Sequence, residues 1–341
     1  MSRGPLLVTG ATGFVGRHVL EAASAEDRPA LALVRDPKLW ASYDWTGRLG
    51  GLSIVTGDVT EPDAWSGALP PLGGIAHLAA LVRHSRHAPH DLFDTNVEGT
   101  LAMVRLAAAH RCRLVVLSTS GTVGCFRSPD AFADENAPFC EETVSRWPYY
   151  ASKIRLEREA RVLADELGVE LVILRPPILL GPGDHRYRST SNVLKALRQK
   201  LPFIIRGGMH FADVRDAARA LIVALERPGI RPVYHLEGTE CSLEHFFVML
   251  EQISGVPRPR FVLPYLPAWW LATAVHRLGL LLRGEPPHLL PDPVVVEMAA
   301  HYWGARSLYA AADLGYKPRD PRETLRDTVE WLRENHEAFQ P

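Results

Sequence analysis

Two side chains near the middle of the sequence, Tyr149 and Lys153, are spaced to act together on a proton. Residues 149–167 have the apolar spacing of a helix, and residues four apart on a helix share one face. A phenol with its ordinary pKa of about 10 is a poor base at neutral pH, and a neighbouring ammonium favours the phenolate. The pair could therefore exchange a proton with a substrate oxygen. Because the Tyr-x-x-x-Lys pattern alone is common on solvated helices, its surroundings must decide its meaning.

Three glycines, Gly10, Gly13 and Gly16, lie between an apolar run at residues 6–9 and a helical pattern at residues 15–23. Glycines on a strand-to-helix turn are typical of dinucleotide-binding proteins. There the first glycine allows the tight turn, the second lets the backbone approach a pyrophosphate, and the third lets the helix pack closely on the sheet. The N–H groups at the start of the helix take the phosphate charge. The turn therefore predicts a dinucleotide site.

The first half of the chain alternates β-rich runs with helical stretches, which predicts an α/β fold of the Rossmann type with a doubly wound parallel sheet. The expected strands are residues 6–9, 30–34, 52–56, 74–78, 114–118 and 169–174, and the main expected helices are residues 15–23, 95–109 and 149–167.

After residue 178 proline and glycine become frequent and the alternation is lost, apart from a strand–helix–strand pattern in residues 211–237. We therefore expect a dinucleotide-binding Rossmann domain made of residues 1–178 with 210–238. A smaller, mostly helical substrate-binding lobe would comprise residues 179–209 with 239–316. Residues 317–341 would supply a C-terminal helix. Such lobes usually carry substrate selectivity.

Several motifs occur in a fixed order along the chain: the Gly-x-x-Gly-x-x-Gly turn, "GDVT" at 57–60, "HLAA" at 77–80, "NVEGT" at 96–100, "YYASK" at 149–153 and "RPPILLGPGD" at 175–184. With them the chain resembles the extended short-chain dehydrogenase/reductase family over nearly its whole length. It is most similar to the branch that includes 3β-hydroxysteroid dehydrogenases and dihydroflavonol reductases. The resemblance implies an NAD(P)-dependent enzyme that moves a hydride between nicotinamide and a secondary alcohol or ketone.

The resemblance implies that Tyr149, Lys153 and one hydroxyl of the run Ser118-Thr119-Ser120 are catalytic. In the family the catalytic serine or threonine lies four residues before a tyrosine in a Val-Tyr-Gly ending. Here Gly124 stands at the place of that tyrosine. Counting back four gives Ser120, with Thr119 as the second choice. The missing tyrosine would also widen the pocket.

The cofactor contacts that the resemblance implies come from the glycine turn, the ends of the strands and the tyrosine–lysine helix. In that reading Asp58 contacts the adenine, residues 78–80 line the ribose and nicotinamide side, and Lys153 binds the nicotinamide ribose. The full set is Gly10, Thr12, Gly13, Phe14, Val15, Gly16, Arg35, Asp58, Val59, Leu78, Ala79, Ala80, Asn96, Ser118, Tyr149, Lys153, Pro176 and Ile178.

Arg35 ends the second expected strand, and Asp36 follows it. An arginine at this place suits the 2′-phosphate of NADP, whereas an acidic residue hydrogen-bonds the ribose hydroxyls of NAD. We expect NADP, and NAD through Asp36 is the alternative.

Two other groups of side chains invite a functional interpretation. His84, His87 and His90 recur every third residue and could hold a metal, but hydride transfer needs none and we expect none. The segment "PGDHRYR" at 182–188 carries basic side chains that either contact an acidic substrate or are simply solvated.

The composition sets limits on partners and compartment. The 341 residues carry a net charge of −1, with no basic excess for nucleic acid, and the four cysteines have no Cys-x-x-Cys spacing. We expect a cytoplasmic protein in a reducing compartment. Residues 261–283 are strongly apolar but interrupted by Pro264, Pro267, His276 and Arg277, which argues against a membrane span. A core helix or substrate lid is expected there, with peripheral membrane contact as the alternative.

These features together predict an oxidoreductase acting on a hydrophobic or amphipathic alcohol or ketone, such as a sterol-, flavonoid- or 3-keto-acyl-like molecule. A sugar-nucleotide epimerase is the alternative, and a non-catalytic nucleotide-binding scaffold is less favoured because both Tyr149 and Lys153 are present. The family resemblance also implies a homodimer in which two helices from each subunit pack as a four-helix bundle.

Overall fold

A computed structural model describes residues 4–86, 89–201, 203–283 and 292–339. The strands are β1 (Leu6–Thr9), β2 (Ala30–Val34), β3 (Leu52–Thr56), β4 (Gly74–His77), β5 (Leu114–Leu117), β6 (Cys125–Phe126), β7 (Leu171–Arg175), β8 (Ile178–Leu180), β9 (Ile204–Ile205), β10 (Gly208–Asp213), β11 (Val233–His235), β12 (Thr239–Ser242), β13 (Val262–Leu263) and β14 (Tyr302–Trp303).

The helices that connect these strands are α1 (Phe14–Ala25), α2 (Pro37–Ala41), α3 (His90–Phe93), α4 (Gly99–His110), α5 (Glu141–Val144), α6 (Pro148–Leu167), α7 (Ser191–Leu197), α8 (Val214–Glu226), α9 (Leu243–Ser254), α10 (Tyr265–Arg283), α11 (Pro293–Ala299), α12 (Ala310–Leu314) and α13 (Pro321–Asn335).

Within the described residues, seven strands form a central sheet in the order β3-β2-β1-β4-β5-β7-β11, and all its pairings are parallel. Successive side chains of a strand point to opposite faces, and β1 shows the consequence. Leu6 and Val8 join a core with α1 and α8, whereas Leu7 joins a second core with α4 and α6. The doubly wound Rossmann-type sheet predicted from the sequence is confirmed.

Strands β1 and β4 are hydrogen-bonded neighbours at the centre of the sheet. From β1 the chain adds β2 and β3 toward one edge, and from β4 it adds the remaining strands toward the other edge. Ligands of such sheets bind beyond the carboxyl ends of the strands at this change of direction. The glycine turn follows β1, and the "HLAA" segment begins at the last residue of β4. Both predicted cofactor segments therefore lie at this edge.

The helix expected at residues 95–109 is divided. After α3, residues Asp94–Glu98 form one π-helical turn, and α4 begins only at Gly99. A π turn inserts a residue into the helical ladder and often marks a functional site. Here it contains the predicted site residue Asn96.

The remaining residues form short strands and helices beside the sheet. β8, β10 and β12 make a three-stranded sheet, β9 pairs with β13, and β6 pairs with β14. Strands of two to four residues carry too little alternation to be predicted, so the segment expected to be mostly helical also contains β structure. Helix α13 closes the chain, with Leu325 and Leu332 buried against Phe246 in a third core.

Candidate active site

Helix α6 carries the predicted catalytic pair. Trp147 caps its start in an extended conformation and Pro148 occupies the first turn, where a missing N–H costs nothing. Tyr149, Lys153 and Glu157 follow at intervals of four and lie on one side of the helix. Lys153 is 3% exposed and Glu157 is fully buried, so this side of α6 faces the sheet.

Lys153 reaches the carboxyl end of β5. Its Nζ donates a hydrogen bond of 2.9 Å to the carbonyl oxygen of Leu117. Burial lowers the pKa of Lys153 to about 8, although the Glu157 carboxylate acts in the opposite direction. At neutral pH the side chain is therefore still mainly an ammonium, held at the place where β5 ends.

Tyr149 is partly exposed, and its hydroxyl makes no hydrogen bond with any residue that the structure describes. Burial raises the pKa of its phenol well above the usual value. This is the reverse of the lowering that we expected from Lys153, because the ammonium is bound to the Leu117 carbonyl and burial dominates at the phenol. At neutral pH the Tyr149 phenol therefore holds its proton.

The three consecutive hydroxyls after β5 have different partners. Ser118 Oγ donates to Glu157 Oε1 at 2.5 Å, and Thr119 Oγ1 accepts from the backbone N–H of Gly121 at 3.2 Å. Ser120 is buried at the start of a 3₁₀ turn, and its hydroxyl has no hydrogen-bond partner among the described residues. Ser118 has thus committed its proton to Glu157, whereas Ser120 and Thr119 each keep a hydroxyl proton with no acceptor among the described residues.

The missing tyrosine of the Val-Tyr-Gly ending does not leave an open space at residue 124. A Cβ atom on Gly124 would lie 2.4 Å from the carbonyl oxygen of Gly304. The pairing of β6 with β14 brings this segment in and stacks Trp303 on Tyr150 with ring centroids 5.4 Å apart. The wider pocket expected from the sequence is therefore wrong at this position, because backbone from the C-terminal part of the chain occupies it.

The glycine turn is built so that no side chain enters it. Gly10 has a φ of +65°, and a Cβ there would lie 2.7 Å from the backbone nitrogen of Ala79. A Cβ on Gly16 would lie 2.3 Å from the carbonyl oxygen of Gly10. Gly13 caps α1 in an extended conformation without a side-chain hydrogen bond. No side chain therefore caps the first backbone N–H groups of α1. Uncapped N–H groups at the start of a helix are suited to bind a pyrophosphate group.

A buried polar chain joins the glycine turn to "HLAA". Thr9 Oγ1 accepts from the backbone N–H groups of Leu78 and Ala79, both at 3.1 Å. Because this oxygen already accepts two hydrogen bonds, the Thr9 hydroxyl donates its own proton to His77 Nδ1 at 2.8 Å. The proton of the His77 ring is then on Nε2, which donates to Thr100 Oγ1 at 3.1 Å. Burial, together with the nearby lysine ammonium, lowers the pKa of His77 to about 3. The imidazole is therefore a fixed, neutral connector.

Asn96 extends this connection to α6. Its Nδ2 donates to Ser152 Oγ at 2.9 Å and to the carbonyl of Leu81 at 3.1 Å, and its Oδ1 accepts from the Leu81 N–H at 2.8 Å. Ser152 Oγ in turn donates to the carbonyl oxygen of Tyr149 at 2.7 Å. Asn96 therefore fixes the loop after β4 against the helix turn that carries Tyr149.

The two residues considered for coenzyme choice differ in their surroundings. Asp36 Oδ1 accepts from the N–H groups of Lys38 and Leu39 and so caps α2. Arg35 is largely exposed, with its guanidinium 3.6 Å from the carboxylate of Asp58. Burial raises the pKa of Asp58, but hydrogen bonds from Thr60 and the charge of Arg35 outweigh it and hold that pKa below its usual value. The acidic candidate is engaged by α2, whereas the arginine faces solvent beside the predicted adenine residue.

The basic segment at 182–188 lies over the glycine turn. Arg186 Nη2 donates to Thr12 Oγ1 at 3.0 Å, within the turn itself. Arg17, on α1, lies with its Nη1 2.7 Å from His185 Nε2. Gly183 has a φ of +94° and packs against Arg17, so the segment follows α1 closely. The Arg186 guanidinium thus contacts the turn that would hold a pyrophosphate, whereas Arg17 pairs with Glu21 on α1.

His84 is a neighbour of the predicted catalytic tyrosine. Its ring packs edge-on to Tyr149 with centroids 5.4 Å apart. Burial lowers its pKa to about 4, and its Nδ1 has no hydrogen-bond partner in the described part of the chain. His90 begins α3, and His87 lies outside the described residues. Among the residues that the structure describes, no group of three or more histidine, cysteine and acidic side chains could hold a metal ion.

Other predicted contacts lie at the same edge of the sheet. Phe14 and Val15 begin α1, and the carbonyl oxygen of Pro176 accepts from the N–H of Ser120 at 2.8 Å. Val59 is buried against Gly99. A Cβ atom added to Gly99 would lie only 2.9 Å from the Val59 side chain. Ile178 begins β8 with 43% of its side chain exposed.

Sequence reasoning missed Glu157, Ser152 and the connector role of His77. Glu157 could have been found, because it repeats the spacing of Tyr149 and Lys153 once more on an otherwise amphipathic helix. Ser152 and His77 gave no such signal, since a lone serine or histidine has no spacing partner. Their roles emerge only when β4, α4 and α6 are packed together.

These features define a class: a dinucleotide-dependent enzyme with a Rossmann-type sheet, a glycine turn and a tyrosine–lysine helix. The NAD dependent epimerase/dehydratase family model matches residues 6–235, and the chain belongs to this family. It is an NAD(P)-dependent enzyme of the extended short-chain dehydrogenase/reductase type, as the sequence motifs predicted.

Three proteins illustrate the similarity. Sterol demethylase protein B of Methylococcus capsulatus is 28% identical over 338 residues, covering 96% of this chain and 98% of the relative. A putative dihydroflavonol 4-reductase of Synechocystis is 28% identical over 348 residues, covering 96% and 94%. The crystal structure of gox2253 superimposes with a TM-score of 0.80 at 28% identity, covering 97% of this chain and 98% of that one.

Proposed function

We propose that the protein is an NADP(H)-dependent reductase that interconverts a ketone and a secondary alcohol on a hydrophobic or amphipathic small molecule. The observation that carries this proposal is the arrangement at the end of β5. There the Tyr149 phenol, the buried Lys153 ammonium and the Ser120 hydroxyl all belong to segments beside the glycine-turn edge of the sheet, and the two hydroxyls have no hydrogen-bond partner among the described residues. A bound nicotinamide supplies the hydride in this chemistry.

In the reductive direction Tyr149 is the proton donor. Because burial raises its pKa, the phenol holds the proton that a developing alkoxide needs, and Ser120 can donate a hydrogen bond to the same oxygen. Lys153 would leave the Leu117 carbonyl to bind the nicotinamide ribose, and its charge would then stabilise the phenolate that remains.

The preference for NADP rests on Arg35 and Asp36. A guanidinium forms bidentate, charge-assisted hydrogen bonds with a phosphate. Arg35 is 72% exposed at the end of β2, so its guanidinium can reach a 2′-phosphate without losing a buried partner. The Asp36 carboxylate, which would be needed for the ribose hydroxyls of NAD, already caps α2.

The proposed substrate class rests on the apolar groups near Tyr149. His84 packs on its ring, and Trp147, Tyr150 and Trp303 form an aromatic cluster behind it. The two relatives named for a sterol and for a dihydroflavonol agree with a polycyclic, mostly apolar substrate.

The test is a panel of sterol, flavonoid and 3-keto-acyl ketones assayed by oxidation of NADPH and of NADH. We expect turnover of at least one compound class with NADPH preferred. Tyr149→Phe should lose about 10²- to 10⁴-fold in kcat, whereas the neighbouring Tyr150→Phe should change it little. Turnover that survives Tyr149→Phe would overturn the proposal.

A sugar-nucleotide epimerase is the second candidate, because the family model that matches the chain includes epimerases. An epimerase keeps and regenerates its coenzyme, whereas a reductase releases it after each turnover. Coenzyme that stays bound through gel filtration, with no net oxidation of NADPH by any ketone, would favour the epimerase.

A further inference from the structure

Helix α10 exposes a set of large apolar side chains to solvent, where an ordinary surface helix presents polar ones. Its exposed side chains include Leu281 at 82%, Trp270 at 63% and Leu266 at 62%. Leu271, Leu278, Leu280 and Leu282 are also exposed, each by more than 40%. We call these residues, together with Phe261 just before the helix, the α10 face.

The opposite side of α10 packs into a small apolar core, to which Tyr265 and Trp269 also contribute. Ala268 and Ala272 are almost completely covered, and Thr273 is 9% exposed with no hydrogen-bond partner for its hydroxyl in the described residues. His276 also lies on this side, 3.8 Å from the Asp292 carboxylate. The helix therefore packs one side into a small apolar core and still exposes a larger set of apolar side chains on the other, and no packing among the described residues covers the α10 face.

The exposed charged side chains nearest the α10 face in the sequence are arginines. Between Glu251 and Glu285 the sequence contains four arginines and no acidic residue, although the whole chain has a net charge of −1. Arg260 and Arg277 are exposed and form no ion pair with any described residue. Arg206 follows β9, which pairs with β13 beside Phe261, and it is exposed as well. A face of leucine and tryptophan edged by arginine matches the interface of an anionic lipid bilayer.

Helix α10 is also hydrogen-bonded, through Glu297, to a residue beside the candidate active site. Trp269 Nε1 donates to Glu297 Oε1 at 3.0 Å, and Trp147 Nε1 donates to Glu297 Oε2 at 2.9 Å. Arg86 adds two hydrogen bonds to the same carboxylate, at 3.2 and 2.7 Å. Trp147 is the cap of α6, two residues before Tyr149. The Glu297 carboxylate therefore joins α10 to the start of α6.

We propose that the α10 face docks on anionic lipid membranes, with the helix lying in the interface. Within the described residues no helix is long and apolar enough to cross a bilayer, so the contact is peripheral. Trp270, Leu278 and Leu281 enter the boundary between headgroups and acyl chains, and Arg260 and Arg277 contact lipid phosphates. This inference does not depend on the coenzyme or the reaction.

Flotation of the full chain with lipid vesicles tests the proposal. The vesicles are phosphatidylcholine with about 30% phosphatidylglycerol, compared with phosphatidylcholine alone. We expect flotation with the anionic vesicles and weaker flotation with the neutral ones. Trp270→Ser with Leu281→Ser should weaken binding about tenfold or more, because two large apolar side chains are lost from the interface. The matched control is Val162→Ser with Leu308→Ser, which changes two apolar side chains exposed elsewhere.

Three results would overturn the proposal. The first is absence of flotation with anionic vesicles, and the second is equal flotation of the Trp270/Leu281 variant and the control. The third is an oligomer without lipid that the Trp270/Leu281 variant, but not the control, converts to monomers, which would show that a second copy of the chain covers the α10 face. Arg260→Gln with Arg277→Gln should reduce flotation only on the anionic vesicles, and an equal reduction on both would also contradict the charge argument.

Discussion

The Glu157 carboxylate and the Arg175 guanidinium form a buried ion pair in which Arg175 Nη2 lies 2.6 Å from Glu157 Oε2. Arg175 Nε adds two contacts of 3.1 Å, one to each carboxylate oxygen. Ser118 Oγ donates to the same carboxylate at 2.5 Å. Glu157 is one helical turn beyond Lys153, so a single carboxylate joins α6 to the ends of β5 and β7.

Replacing Glu157 by glutamine should therefore destabilise the protein strongly. The change leaves the Arg175 guanidinium buried without its counter-charge, which costs about 3 to 5 kcal/mol in comparable pairs. Urea unfolding of the variant measures the loss. The control is Glu159→Gln on the same helix, whose exposed pair with Arg155 is worth less than about 1 kcal/mol. Equal stabilities of the two variants would contradict the positioning role of Glu157.

The stability of the protein should depend on pH through Lys153. Burial lowers its pKa to about 8 in the folded chain, whereas an unfolded lysine titrates near its ordinary value of about 10.4. Below pH 8 both states are protonated, and the cost of burying the ammonium is fully present. Between about pH 8 and 10.4 the unfolded state binds more protons, so folding stability gains about 1.4 kcal/mol per pH unit from this group.

The measurement is the difference in unfolding free energy between the wild type and Lys153→Met across this pH range. Because methionine has nothing to titrate, the difference isolates the lysine. The wild type should gain on the variant as the pH rises from 8 to 10. Parallel curves would mean that Lys153 keeps an ordinary pKa in the folded chain.

Coenzyme preference should change with Arg35→Ser. Loss of a charge-assisted contact to the 2′-phosphate should raise the Kd for NADPH by about 10- to 100-fold and leave the Kd for NADH nearly unchanged. Titration with each coenzyme, followed by fluorescence, measures both constants. Lys38→Ser removes a nearby exposed charge and should leave the ratio of the two constants intact. If that ratio survives Arg35→Ser, another residue selects the coenzyme.

Thr9→Val should uncouple the glycine turn from the segment after β4. Valine keeps the shape but leaves the N–H groups of Leu78 and Ala79 and the Nδ1 of His77 without their partner. We expect a loss of about 1 to 3 kcal/mol in unfolding free energy and weaker coenzyme binding, with Thr9→Ser close to wild type in both. A valine variant that binds coenzyme as tightly as the serine variant would show that the hydroxyl does not order the turn.

The parts of this molecule that sequence could predict are those with a period or a fixed local geometry. Residues 6–9, 30–34 and 52–56 were predicted as strands with the observed bounds. The first two are mostly buried apolar runs, as central parallel strands are, and the third is a β-rich run that forms the exposed edge of the sheet. The glycine turn was predictable because glycines between a strand and a helix mark a particular backbone path. Tyr149 and Lys153 were found through their spacing on one helix.

The parts that sequence could not predict depend on contacts between distant residues. The sign of the pKa shift of Tyr149 follows from burial, which no local pattern reveals. The filling of the space at Gly124 requires Gly304, far along the chain, and the strand pair β6–β14 that brings it there has two residues per strand. Which apolar side chains of α10 stay exposed could be seen only once its buried side was known.

A crystal structure of the protein with NADP⁺ would test the proposed coenzyme site directly. We predict the pyrophosphate on the first amides of α1, the 2′-phosphate at Arg35, and the nicotinamide ribose within hydrogen-bond distance of both Tyr149 Oη and Lys153 Nζ. A nicotinamide ring bound away from these two side chains, or a glycine turn with no phosphate on it, would rule out this site.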